Sequence, residues 1–209
     1  MGTVVYLVRH GSVVGAETRR FIGHLDVPLS SLGERQVAAL AERLRHVRLD
    51  AVYSSDLARA RASAAFVAAP HGLAAIEVPA LREFAMGQWE GLTGDDIRRR
   101  DPAAFDRWMA DVAGYRFPDG EDLAQLAARA WPAFEAIVAA HPGGAVAVVA
   151  HGGTNRVILC RALGLSPARL LALGQDYAAL SVLEWSRGRW GLSLLNHQEL
   201  GGPPSSPSV

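Results

Sequence analysis

The sequence predicts an α/β fold with a largely parallel sheet of about six strands, and three observations lead to it. Two apolar runs, Val4-Val5-Tyr6-Leu7-Val8 and Ala145-Val146-Ala147-Val148-Val149-Ala150, carry no polar interruption and read as strands buried on both faces. Strand-like runs alternate with helical stretches, the pattern of layered α/β architecture. Both apolar runs end in the same dipeptide, His10-Gly11 and His151-Gly152. Ligands of parallel sheets collect at the carboxyl ends of the strands, so two imidazoles are expected in one crevice.

In chain order, the first strand spans 3–9, and a helix over 31–46 follows, opened by Ser31 with Glu34 as a capping box. A strand at 50–54 leads into a helix over 55–68, with Ser55 available to cap it. A third strand at 75–79 precedes helical stretches at 93–112 and 121–140. The second apolar run, 145–150, is followed by a helix over 153–163. Strands at 180–185 and 189–195, joined by Ser186-Arg187-Gly188, form an antiparallel hairpin at one edge. One domain is expected over 1–200, with 201–209 (Gly-Gly-Pro-Pro-Ser-Ser-Pro-Ser-Val) a flexible tail.

Composition narrows the functions. The 209 residues have a formal net charge of zero, which gives no general attraction to nucleic acid or membrane. No apolar run approaches the roughly 20 residues of a membrane span, and no export signal precedes the first strand, so a cytoplasmic protein is expected. A single cysteine, Cys160, excludes an internal disulfide and a cysteine-rich metal site. All 21 basic residues are arginine, which removes Schiff-base chemistry and the Walker P-loop. Arginine is also the better fork for phosphate oxygens.

The crevice suits an anion. His151-Gly152-Gly153 stands where a strand gives way to a helix, whose first turn presents free N–H groups and partial positive charge. Arg9 precedes His10, and Arg59 and Arg61 open the helix after Ser54-Ser55, either facing an anion or snorkelling on a solvated face. A leaving alkoxide needs an acid, and the loop Glu83-Phe84-Ala85-Met86-Gly87-Gln88-Trp89-Glu90-Gly91 offers Glu83 and Glu90 without deciding between them. The other histidines are scattered, so no metal and no cofactor is expected. A serine hydrolase fails because Gly164-Leu165-Ser166-Pro167-Ala168 follows a helix and not a strand.

Leu7-Val8-Arg9-His10-Gly11, Ser55-Asp56-Leu57-Ala58-Arg59-Ala60, Leu81-Arg82-Glu83 with Trp89-Glu90-Gly91, and Val149-Ala150-His151-Gly152 together resemble the histidine phosphatase superfamily, also called phosphoglycerate mutase-like. The resemblance implies a three-layer α/β/α domain and hydrolysis of a small-molecule phosphate monoester through phosphohistidine. It implies His10 as nucleophile, Glu83 as proton donor and acceptor, Arg9, Arg59 and a protonated His151 around the phosphate, and Gly11, Gly23 and Gly152 as backbone contacts to substrate. Ser12 and Ala16 stand where many members have glutamate or glutamine and asparagine, a departure from a mutase site. Gly23-His24-Leu25-Asp26-Val27-Pro28-Leu29-Ser30, Phe117-Pro118-Asp119-Gly120-Glu121 and Gln175-Asp176-Tyr177 are similar to the α-ribazole phosphatase-like branch, which acts in cobalamin synthesis. The alternatives are a broad-specificity sugar or nucleotide phosphatase, a phosphoglycerate mutase, or a silent phospholigand-binding protein. Trp108, Tyr115 and Phe117 either wall the pocket or form a small core. A monomer or homodimer is expected.

Overall fold

In the computed structural model, residues 2–200 are described, and the predicted tail at 201–209 lies outside them. The six strands are β1 (Thr3–Arg9), β2 (Ala51–Ser54), β3 (Ala75–Glu77), β4 (Ala145–Ala150), β5 (Leu180–Ser186) and β6 (Arg189–His197). They form one sheet in the order β3-β2-β4-β1-β5-β6. β3, β2, β4 and β1 run parallel, and β5 and β6 add an antiparallel hairpin beside β1, as the sequence predicts.

Alternate residues of the central strands feed two cores. Val5, Leu7, Val146 and Val148 pack with Leu126 and Phe134 of α5 (Leu123–Ala140) and Ile158 of α6 (Gly152–Leu163). Val8, Ala147 and Val149 pack on the other face with Val37 and Leu40 of α1 (Ser31–Leu44) and Ala64 and Val67 of α2 (Ala58–Ala68). The strict two-residue alternation is what lets an uninterrupted apolar strand serve both layers.

Four boundaries differ from expectation, each for a local reason. The N-cap of α1 is Ser30, whose Oγ accepts from Gly33 N at 3.1 Å, so Ser31 is already helical and no capping box forms with Glu34. Ser55 Oγ accepts from Leu57 N instead of capping α2, whose first amide, Ala58 N, is taken by Asp26 Oδ1 at 2.6 Å. The stretch 93–112 is two helices, α3 (Gly94–Arg100) and α4 (Pro102–Ala110). Proline has no N–H and disfavours helix in the residue before it, so Asp101 ends one helix and caps the next through Ala104 N. The third strand ends at Glu77 because a 3₁₀ turn over Pro79–Leu81 begins almost at once.

Trp108 and Phe117 are buried, in ring contact with Trp89 and Phe21 at centroid distances of 5.2 to 5.6 Å or, for Phe21 and Phe117, 6.5 Å. They form the small-core alternative. Tyr115, half-buried, covers Trp89 at 5.1 Å.

Candidate active site

The β1–β4 register pairs Arg9 with Ala150, so the next residue of each strand, His10 and His151, emerges side by side. Their rings meet edge to face with centroids 5.1 Å apart, and both are buried. His10 Nδ1 lies 2.8 Å from Gly11 O. A carbonyl only accepts, so Nδ1 carries the hydrogen and a neutral His10 keeps its lone pair on Nε2.

The backbone beneath His10 has no slack. A Cβ on Gly11 would lie 2.5 Å from Gly33 O, and one on Gly33 would lie 1.9 Å from Ser12 O. Gly11 N donates to Ser63 Oγ at 3.1 Å, and Ala178 N donates to His10 O at 3.0 Å.

Two arginines flank the imidazoles. Arg9 donates through Nη1 to Gln175 O, and its guanidinium carbon sits 4.0 Å over the Tyr177 ring, a cation–π stack that fixes its plane. Arg59 donates from Nη1 to Leu25 O and from Nη2 to Gly23 O, each at 2.7 Å. Both arginines are buried, and the Nε–H of each has no partner among the described residues. Neither nitrogen of the fully buried His151 has one either. Buried donors are normally satisfied, so this convergence of free N–H groups and cations can hold an anion.

Electrostatics sets the resting charge. Burial, then the fields of Arg59 and Arg9, hold the His10 pKa well below its ordinary value. Burial, followed by Arg59, His10 and Arg9, does the same to His151. His151 is therefore neutral in the free site at neutral pH, whereas the expectation of a protonated His151 concerns the site with phosphate bound. A dianion beside it would favour the charged form again. A third buried arginine, Arg156 on α6, adds to the field. It donates from Nε to Leu173 O, and burial and the nearby Arg9 lower its pKa to about 10.

Glu83 and Glu90 separate cleanly. Glu90 Oε1 accepts from His24 N at 2.8 Å and Met86 N at 3.0 Å, and it leaves no room for a Cβ on Gly23, which has φ +51°. Glu90 is thus a loop tie. Glu83 stands at the N-terminus of α6, directly after His151: Oε2 accepts from Gly153 N at 2.9 Å, and Oε1 from Thr154 N at 3.2 Å and Phe84 N at 3.0 Å. A Cβ on Gly152 would lie 3.4 Å from Arg156 Nη1 and 3.5 Å from Arg9 Cζ, ordinary contact, so these neighbours do not require glycine there. The carbonyls of Gly11 and Gly23 are engaged by His10 and Arg59. Sequence reasoning passed over His24, whose Nε2 donates to Glu83 O at 2.7 Å, and Arg156, which reads as an ordinary helix arginine. The run Gln175-Asp176-Tyr177 was the available signal for the Arg9 support. No group of three histidine, cysteine or acidic side chains among the described residues is placed to hold a metal ion. None of the described helices is long and apolar enough to cross a membrane.

A parallel α/β sheet presenting two imidazoles among buried arginines can hold a phosphoryl group, and comparison with known proteins places the chain among phosphoric monoester hydrolases. The chain belongs to the histidine phosphatase superfamily, branch 1, whose family model matches residues 5–198. A metal-independent phosphoserine phosphatase from Arabidopsis thaliana is 35% identical over 90% of this chain and 81% of that protein. A Yersinia enterocolitica protein named "probable phosphoglycerate mutase GpmB" is 30% identical over 89% of this chain and 86% of its own length. Among solved structures, a mycobacterial glucosyl-3-phosphoglycerate phosphatase bound to VO3 superposes with a TM-score of 0.83 at 34% identity, covering 92% of this chain and 98% of that one. The α-ribazole phosphatase of Shigella flexneri shares the fold, with a TM-score of 0.85 at 24% identity over 93% of this chain and 96% of that one.

Proposed function

We propose that this enzyme hydrolyses compact alkyl phosphate monoesters, without a metal, through a phosphohistidine at His10. The observation that carries the reading is the pair of buried imidazoles set between two buried arginines whose Nε–H groups have no partner among the described residues. The His10 Nε2 lone pair attacks phosphorus in line, the P–N bond forms as the P–O bond breaks, and Glu83 gives its proton to the leaving oxygen. Arg9, Arg59 and His151 hold the phosphoryl oxygens, with charge developing where their donors already point.

On this reading one oxygen of Glu83 carries the acid proton. A carboxylate has about four lone-pair sites, and three of those on Glu83 accept amides, two on Oε1 and one on Oε2. The remaining site, on Oε2, is where the proton rides. In the second half, water attacks phosphorus, Glu83 takes its proton, the P–N bond breaks, and His10 recovers its lone pair.

Burial of Trp108 and Phe117 favours a compact alcohol over a stacked benzimidazole. The phosphoserine in the name of one relative fits that size class, whereas the glucosyl-3-phosphoglycerate in the name of another is nearly as large as α-ribazole 5′-phosphate. Specificity constants for phosphoserine, glucosyl-3-phosphoglycerate, a sugar phosphate and α-ribazole 5′-phosphate rank these esters. Preference for the last by more than about tenfold, or 1.4 kcal/mol, overturns the compact-substrate reading. A single-turnover chase of labelled phosphoenzyme with 3-phosphoglycerate should release inorganic phosphate. Label recovered in bisphosphoglycerate or 2-phosphoglycerate makes the enzyme a mutase.

A further inference from the structure

The guanidinium of Arg129, on α5, spends all five of its N–H groups on one loop and its partner. Nε and Nη2 grip Glu121 Oε1 and Oε2, each at 2.7 Å. Nη1 donates to Ala80 O at 2.9 Å and Arg82 O at 2.8 Å, and Nη2 donates to Glu83 O at 2.6 Å. Glu121 in turn accepts from Ala85 N through Oε2, and its own N–H donates to Ala85 O. Burial pushes the Glu121 carboxyl up, but the bonds from Arg129 and Ala85 outweigh this and leave it below its ordinary value.

The turn that supplies Glu121 interlocks with the Glu83 loop. A Cβ on Gly87 would lie 2.1 Å from Pro118 O, and one on Gly120 would lie 2.3 Å from Ala85 O. On the opposite side, Thr154 Oγ1 donates to Arg82 O and His24 Nε2 to Glu83 O. Both lone pairs of the Glu83 carbonyl are thereby taken, by Arg129 and His24. An ion pair alone would need only Glu121. The convergence of three successive-loop carbonyls on the same cation does something else: it fixes the backbone that carries the carboxylate.

We propose that Arg129, seated on Glu121, is a positioning residue for Glu83, and that the 117–121 turn thereby governs how well the enzyme handles esters whose leaving oxygen needs a proton. This rests on Glu83 being the proton donor. The phosphate pocket is built on β1, α2 and the His151 that follows β4, and Arg129 bonds none of its side chains, so loosening the clamp should spare it.

The test compares an alkyl phosphate with 4-nitrophenyl phosphate, whose leaving group needs little protonation. In Arg129→Met, kcat/KM for the alkyl ester should fall about tenfold to a hundredfold, while that for the nitrophenyl ester stays within about threefold and vanadate affinity is unchanged. In a Glu83→Gln background the same substitution should add less than about twofold. Arg129→Lys keeps the charge but has three donors for five acceptors, so it should show the same selective loss and decides the matter if the methionine variant does not fold. Equal losses on both esters with weakened vanadate binding, or full additivity with Glu83→Gln, would reduce Arg129 to a fold-stabilising residue. Equal losses for both esters in Glu83→Gln itself would remove the proton-donor assignment and this inference with it.

Discussion

Gly153→Ala separates activity from stability. Gly153 lies in the first turn of α6 without positive φ, so the backbone accepts alanine, and helix propensity favours it by roughly 1 kcal/mol. The new Cβ, however, would lie 2.4 Å from Glu83 Oε1 and 2.7 Å from Phe84 Cδ2. Ordinary contact begins at 3.4 Å, so the carboxylate must retreat by about 1 Å. That displacement breaks the bond from Gly153 N or Thr154 N, a loss of about 1 kcal/mol each, which the propensity gain largely offsets. Misplacing a reacting group by about 1 Å costs on the order of a hundredfold in rate. The variant should therefore melt close to the parent and lose about a hundredfold in kcat/KM on phosphoserine, with a much smaller loss on 4-nitrophenyl phosphate. Thermal melts beside steady-state kinetics on the two esters read both quantities. Phosphoserine turnover within about threefold of the parent in a folded variant would refute Glu83 as the acid in this position.

His10→Ala should lower turnover by several orders of magnitude and abolish acid-labile phosphoenzyme while the fold persists, checked by rapid quench and circular dichroism. Glu90→Gln should lower the melting temperature without changing the ratio of alkyl to nitrophenyl turnover, because Glu90 Oε1 is spent on His24 N and Met86 N. The two buried histidines have folded pKa values below their unfolded ones, so the unfolded chain binds the extra protons. Stability should be full above about pH 6.5 and fall as pH drops below it, by up to about 1.4 kcal/mol per pH unit for each histidine. Urea melts between pH 7.5 and 5 check this, and His10→Gln should flatten the slope. Chelators should leave the rate unchanged and vanadate should inhibit; activity lost to a chelator and restored by magnesium would contradict the metal-free mechanism.

The parts of this molecule legible in its sequence are those fixed by local pattern. The two apolar runs and their terminal histidines announce β1, β4 and the meeting of His10 with His151, because strand burial and sheet-end chemistry are written in neighbouring residues. The choice between Glu83 and Glu90 was not legible: it depends on which carboxylate accepts amides from α6 and which from the His24 loop. The cap of α2 is supplied by Asp26, a residue 32 positions earlier, and no window around Ser55 contains it. The Arg129 clamp joins residues 46 to 49 positions apart, beyond any helical or strand period. Ser30 displaced Ser31 as cap because the hydroxyl that reaches Gly33 is also the one bonded to Ser12 O, a tertiary contact.

The pairing of Arg9 with Ala150 has a consequence for how such an enzyme changes its diet. Strand register brings the two histidines together, so those parts of the chain between β1 and β4 that carry none of Gly23, Arg59 and Glu83 can be lengthened, shortened or rewritten without retuning the phosphoryl pocket. Within that excursion, the stretch from α3 through Tyr115 lies outside the Arg129 clamp. Randomising exposed positions there, while holding Glu121 and Arg129 constant, should yield libraries in which the preferred alcohol drifts and the cleavage chemistry is inherited intact.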